Sequence, residues 1–176
     1  MRYVSWNCRG LGSKSKEEVL KEIIKINKPD ILLVQETKME DTILYQAQNI
    51  FWKKGKGKAI SSRGASWGLA TFWDTSKFEL INEECSMHWL YTNLRRIDSS
   101  LQVSLFNLYV PNLLYEKQNC WESLESFLNL HNPRNIILAG DLNITLAADE
   151  KKKAPQSEIK PENGWRTLFL ARTFLT

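Results

Sequence analysis

The chain has 176 residues, 43% of them hydrophobic and seven of them Trp, which suits one domain with its own core and excludes a disordered chain. A formal net charge of +4 at pH 7 and a pI near 8.9 are mildly basic, compatible with a polyanionic partner but not diagnostic of one. Cys8, Cys85 and Cys120 are odd in number and lack the close pairing of zinc or redox motifs, and no apolar run is long enough to cross a bilayer. The cysteines read as free thiols that behave as small buried hydrophobes, and the chain as a soluble intracellular protein without a signal peptide.

In chain order, residues 3–6 are β-prone and end in Asn7-Cys8-Arg9-Gly10-Leu11-Gly12, where glycines and polar groups break the strand. Ser15-Lys16-Glu17-Glu18 has capping-box spacing, and Val19, Leu20, Ile23, Ile24 and Asn27 form one helical stripe that Pro29 stops. Ile31-Leu32-Leu33-Val34 reads as a strand buried on both faces that ends in Gln35-Glu36-Thr37. Strand, helix and buried strand make a βαβ unit, so Asn7 and Glu36 are expected at the same carboxyl edge of a parallel pair.

A short helix is expected over 41–47. Lys53, Lys54, Lys56, Lys58 and Arg63 follow, interleaved with glycines and serines, and read as a flexible basic loop without Walker A spacing, suited to a phosphate backbone. Residues 67–73 and 78–81 read as a hairpin around Asp74-Thr75-Ser76, and 86–94 with 101–110 as a second around Asp98-Ser99-Ser100, which implies a mixed sheet. The latter run carries Asn107 and Tyr109 and stops at Pro111. Trp121, Leu124, Phe127 and Leu128 lie at helical spacing as expected core, closed by His131-Asn132-Pro133. His88 is expected within a strand and His131 at a helix end, both structural. The apolar run 135–139 is the last expected strand, and Gly140-Asp141-Leu142-Asn143 closes it with two oxygen-bearing side chains two apart.

Asn7, Glu36, Tyr109 and the Asp141/Asn143 pair thus stand at four strand ends, and in a mostly parallel α/β layer such ends converge on one crevice. Carboxylates and amides without His or Cys suit Mg²⁺ or Mn²⁺ rather than Zn²⁺. A divalent ion among them polarises a phosphate and stabilises a leaving oxygen, so the residues point to a metal-assisted phosphoester site.

The ordered set Ser5-Trp6-Asn7-Cys8-Arg9-Gly10, Val34-Gln35-Glu36-Thr37, Asn107-Leu108-Tyr109-Val110-Pro111-Asn112 and Gly140-Asp141-Leu142-Asn143 resembles the endonuclease/exonuclease/phosphatase superfamily, and within it the endonuclease domain of plant LINE-type (non-LTR) retrotransposons. The resemblance implies a four-layer α/β sandwich, two mixed β-sheets flanked by helices, and Mg²⁺-dependent cleavage of phosphodiesters in DNA. Under it Glu36 holds the metal with Asn7 beside it, and Tyr109 contacts the scissile phosphate. Asp141 and Asn143 orient the attacking water and stabilise the transition state, while Arg9 joins Lys53, Lys54, Lys56, Lys58 and Arg63 as nucleic-acid contacts.

The family pattern continues beyond Gly-Asp-x-Asn to a catalytic histidine segment that is not found after Asn143 here. The chain is therefore expected to hold a partial domain over 1–150 and a divergent tail over 151–176, with the second half of the second sheet missing, an exposed edge prone to self-association, and weak or no turnover. A non-catalytic remnant that binds nucleic acid weakly is the alternative. The nucleus is a compatible location, although no targeting signal is read.

Overall fold

Parallel pairing of the first two strands sets the frame. In the computed structural model, which describes residues 1–61 and 68–143, β1 (Tyr3–Asn7) and β2 (Ile31–Gln35) run side by side from Tyr3 opposite Ile31 to Asn7 opposite Gln35. Helix α1 (Lys14–Asn27) makes the crossover between them, as expected. Its cap is Ser13, whose hydroxyl accepts from the Lys16 N–H; Ser15 instead lies against the Ser13 hydroxyl at 3.0 Å, so the helix begins before the expected box. The C-terminus closes at Lys28 in a left-handed conformation whose N–H reaches the Ile24 carbonyl. Leu20 and Ile23 are buried, but Val19 is 46% exposed, so the apolar stripe is narrower than the spacing suggested.

Helix α2 (Asp41–Phe51) runs a turn longer than expected, because Leu44, Ala47, Gln48 and Phe51 continue one buried face. The stretch expected as a flexible loop is in large part a strand, β3 (Gly55–Ile60), paired antiparallel with β4 (Leu69–Asp74). Its glycines make this possible. A Cβ at Gly57 would stand 2.1 Å from the Phe72 ring and one at Gly55 3.0 Å from Trp52, so the strand crosses these aromatics only where it lacks side chains.

The expected hairpin after β4 is a turn without a hairpin. Lys77 N–H bonds the Asp74 carbonyl at 3.0 Å and Ser76 N–H the Asp74 carboxylate at 2.9 Å, as a turn requires. Both edges of β4 are already taken, by β2 and β3, so β5 (Phe78–Cys85) has no ladder to join there and opens a second sheet. It pairs antiparallel with β6 (Trp89–Arg96), with an irregularity between Leu80 and Asn82, and β6 pairs with β7 (Gln102–Tyr109) as expected. Helix α3 (Leu114–His131) then crosses to β8 (Ile136–Asp141), parallel to β7.

Two mixed four-stranded sheets result, ordered β1-β2-β4-β3 and β5-β6-β7-β8. Strand alternation sorts their side chains into three cores. Leu32, Val34, Ala70 and Phe72 meet α1 and α2; Ile31, Leu33, Trp73, Phe78, Leu94, Val103, Leu105 and Ala139 fill the space between sheets; Trp89, Tyr91, Phe106 and Leu108 meet Leu124 and Phe127 of α3. The architecture is the expected α/β sandwich. Two expectations of burial change, in that Trp121 is 36% exposed and Cys85 is exposed while Cys8 and Cys120 are buried; one of position changes, in that His88 lies in the turn before β6 rather than within a strand. The segment 151–176 lies outside the described residues. Among the described residues no helix is long and apolar enough to cross a membrane.

Candidate active site

Asn7 ends β1 with its amide committed on every side. Its Oδ1 accepts the Arg9 N–H at 3.1 Å, and its Nδ2 donates to Glu36 Oε1 at 2.8 Å and to Asp141 Oδ2 at 2.7 Å. Glu36 follows β2 in the first sheet and Asp141 ends β8 in the second, so one side chain joins carboxylates from both sheets. Continued alternation would turn Glu36 after Val34 toward the helices. A φ of +53° at Glu36 ends the strand instead, and its carboxylate meets Asn7. Arg9 and Lys38 share the left-handed conformation, at φ +49° and +53°, so strained backbone gathers beside Glu36.

Main-chain bonds hold this edge. Cys8, Gly10 and Leu11 donate their N–H groups to the carbonyls of Gln35, Glu36 and Thr37, and Thr37 N–H reaches the Gly68 carbonyl. Burial pushes the Cys8 thiol up to about 11, so it stays protonated within reach of the Gln35 and Glu36 carbonyls at 3.2 and 3.3 Å. Lys38 Nζ stands 3.9 Å from Glu36 Oε2 and brings a positive charge to the mouth of the site.

The second sheet supplies the other wall. Tyr109 lies opposite Asp141 in the β7–β8 register, and Val110 N–H bonds the Asp141 carbonyl at 2.8 Å. Burial first, then the charges of Glu36 and Asp141 and a hydrogen bond with Glu36, push the Tyr109 phenol above its ordinary range, which places the ring among the same carboxylates. Asn143 donates its N–H to Asp141 Oδ1 at 3.1 Å and its Nδ2 to the Val110 carbonyl at 2.6 Å, while Lys117 Nζ of α3 holds the Asn143 carbonyl at 2.7 Å. Gly140 is required at its place, since a Cβ there would lie 2.0 Å from the Leu108 carbonyl oxygen.

The structure therefore brings Asn7, Glu36, Tyr109 and Asp141 together, with Asn143 folded onto the Asp141 turn. The lysines lie elsewhere. Because β3 is antiparallel to β4 and β4 to β2, Lys53 and Lys54 precede β3 at the end remote from Glu36, and Lys56 sits opposite Trp73 near that end. Lys58 pairs with Glu83 at 2.6 Å, Arg9 is exposed on the Asn7 side, and Arg63 falls outside the described residues.

Sequence reasoning did not assign the two buried amides beneath the site, Gln35 and Asn107, nor Lys38 and Lys117. A polar residue inside an apolar strand was the available signal for the first two. Among the described residues no group of three or more His, Cys, Asp or Glu converges. Two carboxylates with an amide and a phenol fit a hard, partly hydrated cation that borrows ligands from a phosphate, and do not fit the nitrogen and sulfur set of zinc.

Comparison with known proteins agrees with this architecture. The 3′ phosphatase NExo from Neisseria, solved with a product DNA hairpin, superposes with a TM-score of 0.67 at 17% identity over 84% of this chain and 60% of its own. The AP endonuclease LMAP from Leishmania major gives 0.63 at 21% identity over 81% and 55%, and the human Nocturnin catalytic domain 0.63 at 18% over 82% and 64%. The chain thus spans somewhat under two thirds of the length of these solved structures. No curated protein sequence matches it. The sequence profile of the Endonuclease/Exonuclease/phosphatase family matches residues 4–169, and with that match the chain belongs to the endonuclease/exonuclease/phosphatase family.

Proposed function

We propose that the chain is a divalent-metal-dependent phosphodiester hydrolase, and that its substrate is DNA, which it nicks. The observation that carries this reading is the Asn7 amide bonded to Glu36 of one sheet and Asp141 of the other. Family membership and the DNA product bound by the Neisseria relative support it.

In this reading Glu36 and Asn7 would hold the cation, Mg²⁺ or Mn²⁺. The ion supplies Lewis-acid charge stabilisation at a phosphate oxygen. Tyr109, whose neutral phenol stands among the carboxylates, donates to a phosphate oxygen. Asp141 accepts the proton of the attacking water, and Asn143 fixes the Asp141 carboxylate through its main-chain N–H. Attack breaks one P–O bond and leaves a phosphate monoester and an alcohol.

Turnover is expected to be slow. His131 lies 3.7 Å from Glu84 and stacks on Phe127, and His88 is buried with Glu116 as the charge that acts on it, so neither is committed to the carboxylate pair. That observation favours the second reading, a nucleic-acid-binding relative without turnover. Descent from a LINE-type retrotransposon rests on the Trp6-Asn7-Cys8-Arg9-Gly10-Leu11-Gly12 opening. The test is nicking of supercoiled plasmid with Mg²⁺ beside a Glu36→Ala control. Slow nicking that chelator and Glu36→Ala both abolish is expected; equal nicking by both proteins overturns the reading, and cation-dependent DNA binding without nicking selects the second.

We further propose that β3 is a backbone track, because Lys53 and Lys54 precede and Lys56 and Lys58 lie on a strand that is outermost among the described residues and leads to Ser61, whose hydroxyl accepts the Asp41 N–H after the Glu36 segment. Alanine at all four lysines should weaken DNA binding and flatten its dependence on salt. An unchanged affinity would leave them as charges that keep an open edge from pairing. In the second sheet β8, an outermost strand among the described residues, carries half-buried Ile136, Ile137 and Leu138 and is the proposed seat of self-association, read by sedimentation across a concentration series.

A further inference from the structure

Directly below the carboxylates lies a second polar layer that the chemistry does not use. In a strand, residues two apart share a face. Ser5 stands two before Asn7, Asn107 two before Tyr109, and Ala139, opposite Asn107, two before Asp141; Gln35 immediately precedes Glu36. Gln35 and Asn107 are 1% and 0% exposed. Gln35 Nε2 donates to Asn107 Oδ1 at 2.6 Å and to the Ser5 hydroxyl at 3.2 Å, and Asn107 Nδ2 donates across the sheets to the Val34 and Ala70 carbonyls at 3.2 and 2.9 Å.

Both amide hydrogens and the oxygen of the Asn107 side chain are therefore engaged, by three residues on two strands of the opposite sheet, Val34 and Gln35 of β2 and Ala70 of β4. The neighbouring positions in this gap are Leu33, Leu105 and Ala139, which pack without direction. An apolar pair in place of the amides would fill the space and leave the sheets free to settle in more than one register, whereas hydrogen-bonded amides allow only one. The consequence falls one layer up, where Glu36 of the first sheet and Asp141 of the second must meet the same Asn7 nitrogen at 2.8 and 2.7 Å.

We propose that Gln35 and Asn107 are positioning residues whose contact holds the two sheets at the separation that lets Asp141 of the second sheet orient the Glu36–Asn7 pair of the first, the pair assigned to the divalent cation. The proposal rests on the cation reading above, but its geometric half can be tested without metal. In the metal-free protein the Asn7 side-chain amide protons, bonded to both carboxylates, should exchange slowly with solvent by NMR.

Two variants carry the test. Gln35→Met keeps length and burial while deleting one partner, and Gln35→Met with Asn107→Leu removes both amides so that they do not confront each other unpaired. In whichever variant unfolds cooperatively, Asn7 amide exchange is expected to accelerate at least about tenfold, and Mn²⁺ affinity, read by electron paramagnetic resonance, to fall by about 10–100-fold, the usual range for groups that orient ligands. Folded variants with the parent's Asn7 exchange and Mn²⁺ affinity would overturn the proposal and leave the amides as core hydrogen bonds. Faster exchange in a parent background that binds no Mn²⁺ would keep the positioning role and reject the cation reading instead.

Discussion

Asp30 illustrates how a single side chain ties the start of the fold together. Its carboxylate accepts the Arg2 N–H at 2.7 Å and the Lys77 ammonium, which joins the opening of β1 to the turn that begins the second sheet. Burial pulls its carboxyl upward, but the Lys77 and Arg2 bonds outweigh that and hold it below the usual carboxylate range. A folded-state value below the unfolded one means that Asp30 stabilises the protein above the unfolded value of about 3.9, and that this contribution disappears as pH falls through the folded value. Asp30→Asn should therefore cost on the order of 1 kcal/mol at pH 7 and less at pH 3. Urea midpoints of the two proteins at both pH values check this, and a gap that stays constant would contradict it. The strand-end positions of Asn7, Tyr109 and Asp141 were legible, because a polar side chain closing an apolar strand is visible in one dimension. It did not foresee the left-handed turn at Glu36 or the Gln35–Asn107 contact, which depend on where the second sheet lies.

At the scale of elements, the misread stretches share a cause. Gly55, Lys56, Gly57 and Lys58 look like loop chemistry, yet the glycines are what let β3 pass over Trp52 and Phe72. The turn at Asp74 was legible, but not the fact that β4 already had two neighbours. Gly140 differs from Gly57 in what its missing Cβ would meet. At Gly140 the obstacle is the main chain of Leu108 and φ is +141°, while at Gly57 it is chiefly the buried Phe72 side-chain ring, with the Thr71 carbonyl oxygen next at 3.0 Å. Gly140→Ala is accordingly expected to cost roughly 3 kcal/mol or more and to disturb the β7–β8 register, and Gly57→Ala roughly 1–2 kcal/mol. Thermal unfolding of both variants decides it; equal losses would mean that β8 adjusts as easily as the Phe72 ring.

For the whole molecule, the sandwich explains why distant motifs act together. Each sheet contributes one parallel pair, β1–β2 and β7–β8, and the site lies where the carboxyl ends of the two pairs face each other. The βαβ unit of β1, α1 and β2 and the helix before β8 were legible because apolar periodicity marks them, and the convergence of strand ends followed from the expected α/β layer. The division into two sheets was carried only by the family resemblance, since composition and period look alike for one mixed sheet and two. The central claim is that Glu36 and Asn7 hold one cation in a place set by the Asp141 contact from the second sheet, and Mn²⁺ titration followed by electron paramagnetic resonance tests it most directly in the parent, Glu36→Gln and Asp141→Asn. The predicted result is one bound ion in the parent and affinity reduced at least about tenfold by either substitution. Binding that neither substitution weakens, in proteins that remain folded, would contradict the account.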